Sequence, residues 1–199
     1  YIYGTLTNSD GADPLDYSAV MENPAEFYMT ATDAATGRAA YFSKYDIIRD
    51  DYRTVMATCA LPGFCRPVKV GEHFYYDGGV ADSIPLHHAI EQGCTKMVVI
   101  LSNPRDFVKK PEAHRPLYKH MLHKYPKTIQ SIDNRHINYQ ASIDLACRLE
   151  KEGYVFIFAP SRHMPLSTFS KDAALEQDLY DLGVADYEAR AEELKYFLN

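Results

Sequence analysis

The sequence predicts an α/β protein: a three-layer α/β/α fold with a mainly parallel central sheet. Three observations carry this. Strand-like and helix-like segments alternate along the chain without an internal repeat, the pattern of a helix-covered parallel sheet. Residues 96–101, KMVVIL, form a continuous apolar run of the kind buried on both faces in such a sheet. Residues 154–159, YVFIFA, form a second. A chain of 199 residues and 22.6 kDa is long enough to bury a substantial core and fits a single domain.

In chain order, residues 1–24 are polar and turn-rich, with Asn8-Ser9-Asp10-Gly11 and Asp13-Pro14 as breakers, and hold one short helix near 17–21. Residues 26–32 read as a strand, 33–37 as a turn and 38–43 as its hairpin partner. Asp33 and Thr36-Gly37 supply the turn chemistry. Residues 50–60 begin with two acids and then place Tyr52, Val55, Met56 and Cys59 at three- and four-residue steps, predicting a short amphipathic helix that Leu61-Pro62-Gly63 ends. Residues 67–70 and 73–76 are two short strands joined at Gly71, and their second member is expected to end at the same sheet edge as the two apolar runs. Residues 85–92 form a helix with Pro85 near its start and Gly93 as its stop. A short helix lies between the prolines of 111–126. A long one covers 127–151, where Ile129, Ile132, Ile137, Ile143, Ala146, Cys147 and Leu149 give an imperfect 3.6 period that Gly153 closes. The chain finishes with two helices, 171–182 and 186–198, split by Gly183.

Composition narrows the function. A formal net charge of −6 argues against nucleic acid as a general partner. The apolar runs 97–101 and 154–159 are far too short to cross a bilayer, and the opening Tyr1-Ile2-Tyr3-Gly4 has neither the basic nor the apolar region of a signal peptide; the expectation is a cytoplasmic protein. Charge is uneven, however: residues 105–127 carry seven Lys or Arg against Asp106 and Glu112. That stretch reads as a solvated face, or as a surface that meets anionic headgroups at a membrane periphery. Cys59, Cys65, Cys94 and Cys147 lack Cys-x-x-Cys spacing and are expected to be reduced and partly buried. His120 and His123 stand three apart with no acid on their face, so no metal is expected, and no cofactor.

One carboxylate sits in a setting suited to chemistry. Asp77 follows the aromatic run His73-Phe74-Tyr75-Tyr76 and precedes Gly78-Gly79. At the carboxyl end of a strand in an open α/β sheet it lies where ligands of such sheets bind, and the two glycines allow positive φ and close approach. Taken alone, Asp-Gly-Gly is also ordinary turn chemistry. The histidines that follow, His87 and His88, are not assigned a role, because a helix after this turn points away from the strand end.

The wider block decides between these readings. Ala60-Leu61-Pro62-Gly63, then Phe64, Pro67 and Val68, a Gly71 turn, and Tyr76-Asp77-Gly78-Gly79-Val80 followed by Pro85 resemble the second signature of the patatin-like phospholipases. Residues 27–42, FYMTATDAATGRAAYF, look like that family's strand, Thr-Asp, turn, strand unit, and residues 95–102 like its next core strand. Ser83 stands where many members carry Asn. The resemblance implies a lipid acyl hydrolase working on a lipid or ester substrate, in which Asp77 of the Asp-Gly-Gly motif pairs with a serine nucleophile. No Gly-x-Ser-x-Gly and no glycine-rich oxyanion loop occur in the 199 residues, and both precede this block in the family. The chain is therefore expected to be the C-terminal portion of a patatin-like domain, with roughly 60 or more residues, two βα units, upstream. The alternative is a non-catalytic lipid-binding or regulatory domain that keeps the scaffold. A hydrolase built on Cys59 or Cys65 is a weaker third reading, and the oligomeric state is not encoded in any motif.

Overall fold

A computed structural model describes residues 2–165 and 171–199. The chain divides into two compact units, one formed by Tyr1–Pro85 and Lys110–Tyr139, the other by Leu86–Lys109 and Gln140–Asn199.

The first unit opens with α1 (Tyr17–Glu22), capped by the Asp16 side chain on the Ala19 amide. Strands β1 (Tyr28–Asp33), β2 (Ala39–Ser43), β3 (Val68–Val70) and β4 (His73–Asp77) form one sheet in the order β2-β1-β4-β3. Every pairing in it is antiparallel. Short connections dictate two of the pairings, β1–β2 and β3–β4, since a handful of residues reverses the chain but cannot carry it back to a parallel start; β1 and β4 then join the two hairpins edge to edge. The mainly parallel expectation therefore fails for this sheet. The β1–β2 turn is held by Asp33, whose Oδ1 accepts from the Thr36 amide at 2.7 Å and the Thr36 hydroxyl at 2.9 Å, while Oδ2 faces His73 Nδ1 at 3.2 Å. Burial pushes the Asp33 carboxyl up, but the Thr36 and His73 contacts together outweigh it and hold it below its ordinary value.

Helix α2 (Arg53–Thr58) is shorter than expected and buries Thr54 and Ala57, while Cys59 just beyond it is exposed. Helix α4 (Arg115–Met121) leads into α5 (Pro126–Lys151). Arg115 grips Asp133 of α5 with two hydrogen bonds of 2.8 and 2.7 Å, and the Tyr118 hydroxyl donates to the same carboxylate at 2.7 Å. Ile129 and Ile132 of α5 pack with Ala34, Tyr76, Val80 and Leu122 in one apolar cluster. Each such isoleucine contributes about 1.5–3 kcal/mol of burial. A second cluster joins Met29, Ile47 and Tyr52.

In the second unit, α3 (Leu86–Glu91) precedes β5 (Met97–Ile100), which pairs in parallel with β6 (Val155–Phe158). The apolar runs thus form strands, but in a two-stranded sheet distinct from that of β4, so the three do not share one sheet edge. Val155, Phe156 and Ile157 are buried, whereas Val98 is 40% and Ile100 78% exposed, so burial on both faces holds for β6 and not for β5. Register explains the difference. Val98 and Ile100 share a face with Phe156 and Phe158, and only the phenylalanines are covered there: Arg190 of α6 (Ala173–Leu198) stacks 4.3 Å from the Phe156 ring, and Phe197 lies 5.7 Å from it. Arg105 pairs with Glu150 at 2.6 and 2.7 Å and donates to the Ile157 carbonyl.

Two further expectations are corrected. The C-terminal segment is one helix running through Gly183, because its neighbours are good helix formers and an interior glycine only weakens a helix. The four cysteines are free, but Cys59, Cys65 and Cys94 are exposed and only Cys147 is partly buried. No helix among the described residues is long and apolar enough to cross a membrane.

Two measurements test these assignments. A Cβ at Gly183 meets nothing within 4 Å, so Gly183→Ala should stabilise α6 by about 1 kcal/mol in urea unfolding followed by circular dichroism. Asp33 titrates below its ordinary value when folded, so its contribution is complete above about pH 3.9 and lost as pH falls through the folded-state value. The stability advantage of wild type over Asp33→Ala, on the order of 1 kcal/mol at neutral pH, should therefore shrink in acid.

Candidate functional site

Asp77 is the last residue of β4, directly opposite Ala31 of β1. Its position is over-determined by its own backbone. The amide donates to the Ala60 carbonyl at 2.9 Å and the carbonyl accepts from the hydroxyl of Thr32, a fully buried residue, at 2.8 Å. Thr32 Oγ1 in turn accepts from the Ala81 amide at 3.2 Å. One threonine therefore ties the strand end to the far side of the turn. Beneath it, burial and the neighbouring Tyr125 push the Tyr76 phenol up to about 12, so Tyr76 serves as a neutral wedge in the apolar cluster.

After Asp77 the chain makes a 3₁₀ turn, Gly78–Val80, capped by the Asp77 side chain: Oδ1 accepts from the Gly79 amide at 2.7 Å. Oδ2 makes no hydrogen bond among the described residues. The glycines are needed for space and not for positive φ, which neither adopts. A Cβ on Gly78 would stand 2.1 Å from the Thr30 carbonyl oxygen, a distance no side chain tolerates. The Gly79 carbonyl accepts from Ser83 Oγ at 2.8 Å and from Arg135 Nε at 2.6 Å. Arg135 Nη1 pairs with Glu112 Oε1 at 3.0 Å.

Chemically, the turn uses one carboxylate oxygen as an acceptor and leaves the other without a hydrogen bond among the described residues, able to accept one. Asp77, Gly78 and Gly79 form a turn at the carboxyl end of a strand, but that strand is antiparallel to its neighbours. His87 and His88 lie on α3. Thr32 belongs to the Thr-Asp of the strand, turn, strand unit, but its tie across the turn, like the reach of Arg135, is not visible in the sequence. Thr32 sits in a strand with ordinary β composition, and Arg135 lies in a long helix 56 residues from the carbonyl it holds, so no local pattern singles it out.

Gly78→Ala tests the packing. The added methyl cannot fit without moving the Thr30 backbone, so the variant should lose at least about 1–3 kcal/mol in denaturant unfolding, whereas Gly71→Ser, at a site with nothing within 4 Å but a positive φ of 58°, should lose about 1 kcal/mol.

Comparison with known proteins adds two matches. Residues 125–199 match a domain of unknown function, DUF6363. No curated protein matches the chain. Residues 30–90, from within β1 through β2, α2, β3, β4 and the Asp77 turn to nearly the end of α3, match the family model of the patatin-like phospholipases, and it is through this block that the chain is similar to that family.

Proposed function

We propose that this chain is the C-terminal portion of one patatin-like catalytic domain and that it serves a lipid acyl hydrolase with a Ser-Asp dyad. Asp77 is the general base, Gly78 and Gly79 shape its turn, and the serine lies upstream. The observation that carries this reading is the Asp77 carboxylate itself: it is fixed at a strand end through Oδ1, has Oδ2 uncommitted among the described residues, and lies inside the block that matches the patatin-like family. A carboxylate is a weak base, so Asp77 acts through a direct hydrogen bond, accepting the serine proton as the oxygen attacks the ester carbonyl. The family match supports lipid hydrolysis at the level of class; the dyad is our reading of the geometry. The three-layer, mainly parallel architecture belongs to the same proposal. Parallel strands are normally covered on both faces, and the parallel pair β5–β6 leaves Ile100 78% exposed, as a strand awaiting further structure does.

Peripheral contact with an anionic membrane is the second part. Two of the basic residues are committed, Arg105 to Glu150 and Arg115 to Asp133. In and beside α4, exposed Leu117 and Met121 lie among exposed Lys119 and Lys124, an apolar and cationic mixture suited to headgroup contact. With each lysine worth about 1 kcal/mol at such a surface, reversing both charges should weaken sedimentation with phosphatidylglycerol vesicles at least about tenfold and leave neutral vesicles unaffected.

The catalytic reading is tested by ester hydrolysis. The 199-residue chain should be inert toward ester substrates and serine-directed phosphonates, and a longer form with a Gly-x-Ser-x-Gly segment upstream should be active. In that form Asp77→Asn should lower the rate by ~10²–10⁴ without unfolding the protein, and His88→Ala should change it little. An active Asp77→Asn beside a dead His88→Ala would leave Asp77 a turn residue only.

A further inference from the structure

We infer that the segment matching the domain of unknown function completes the Asp77 turn, with Arg135 as the positioning residue it supplies. The inference rests on the dyad reading. Residues 30–90 match the patatin-like model and residues 125–199 the unknown domain, yet Arg135 of the latter donates Nε to the Gly79 carbonyl of the former at 2.6 Å. Both residues lie in the first compact unit. Its Nη1 is held by Glu112 at 3.0 Å, which fixes the plane of the guanidinium. Nη2 lies 3.3 Å from the point where a Cβ on Gly79 would stand, and Asp77 Oδ1 lies 3.1 Å from that same point. The guanidinium thus bonds the turn that carries the carboxylate without pairing with the carboxylate itself.

The helix that presents Arg135 is itself docked on the same block. Thr128 Oγ1 donates to the Ala34 carbonyl and Ser131 Oγ to the Gly37 carbonyl, at 2.8 and 2.7 Å. Ile129 and Ile132 pack with Tyr76 and Val80, the residues on either side of Asp77-Gly78-Gly79. A Cβ on Gly37 would stand 2.5 Å from the Lys127 carbonyl oxygen, so the first turns of α5 approach the β1–β2 turn at backbone distance. Arg135 is only 29% exposed in its side chain, and its fork bonds two acceptors at once, which a lysine cannot reproduce. Without it the Gly79 carbonyl keeps only the exposed Ser83 hydroxyl, and the Asp77 Oδ1 bond to the Gly79 amide is free to open. Oδ2 then loses its aim at the serine.

Two measurements test this. In the 199-residue chain, hydrogen exchange at the Gly79 amide should accelerate at least about tenfold in Arg135→Ala and Arg135→Lys, with the β1 and β6 amides unchanged, as expected for local opening. In the longer, active form, Arg135→Ala should lower kcat by ~10–10² while KM moves less than about threefold, the signature of a displaced catalytic group. Guanidinium ion added at millimolar concentration should restore part of that rate, and ammonium should not. Glu112→Gln, which keeps an acceptor for Arg135 but removes the charge that pairs with it, should show both effects more weakly and covers the case in which Arg135→Ala does not fold. Unchanged Gly79 exchange in these variants overturns the clamp. A wild-type kcat in Arg135→Ala beside an inactive Asp77→Asn overturns the positioning role and leaves the dyad standing. A fully active Asp77→Asn overturns the dyad, and the catalytic role of Arg135 with it.

Discussion

The closeness of Gly78 to the Thr30 carbonyl is the constraint on which the rest of the first unit depends. Because no side chain fits there, β4 can end against β1 at backbone distance, and Thr32 can reach both the Asp77 carbonyl and the Ala81 amide with one hydroxyl. A buried hydroxyl that both donates and accepts avoids the desolvation cost an unpaired one would carry. The turn that follows therefore has little freedom. Tyr76 on one side and Val80 on the other are drawn into the same apolar cluster, so the carboxylate between them is set by packing and not by a mobile loop.

That arrangement recruits α5. The cluster under the turn is completed by Ile129 and Ile132, and the polar ends of the contact are satisfied by Thr128 and Ser131 against the backbone of the β1–β2 turn. Buried polar groups placed this way fix the register of a helix against a sheet, since sliding by one residue would strand them. Arg135, two turns further along, reaches Gly79 because those earlier contacts have set where the helix lies. The chemistry of one strand end is thus tied to a helix that comes more than fifty residues later.

Much of this was legible in the sequence, and the failures have physical causes. The β1–β2 hairpin, the β3–β4 hairpin at Gly71, α5 and both apolar strands follow from local chemistry: turn residues, proline stops and β-branched runs. Pairing direction is a tertiary property, and alternating helices and strands suggested a mainly parallel sheet, whereas among the described residues β5 and β6 pair in parallel and β1, β2, β3 and β4 pair antiparallel. Gly183 looked like a break because glycine weakens helices, but a cost near 1 kcal/mol is small beside a 26-residue helix. Gly78 and Gly79 were correctly given special weight for a reason that was half right: close approach matters there, and positive φ does not. Arg135 left no local trace at all, since its meaning lies in a partner distant in sequence.

The two readings of Asp-Gly-Gly, turn or catalytic residue, are not rivals in this geometry. Capping the turn needs one acceptor oxygen, and Oδ1 supplies it to the Gly79 amide. Accepting a serine proton needs the other. A carboxylate free at both oxygens would rotate about its side-chain bonds and present neither reliably, and preorganisation of the reacting group is what lowers a barrier. Asparagine in its place would keep the cap through its carbonyl oxygen and present an amide that donates where a base must accept. The turn chemistry that makes the motif look unremarkable in isolation is therefore the condition under which its second oxygen becomes useful, provided a hydroxyl is brought to it.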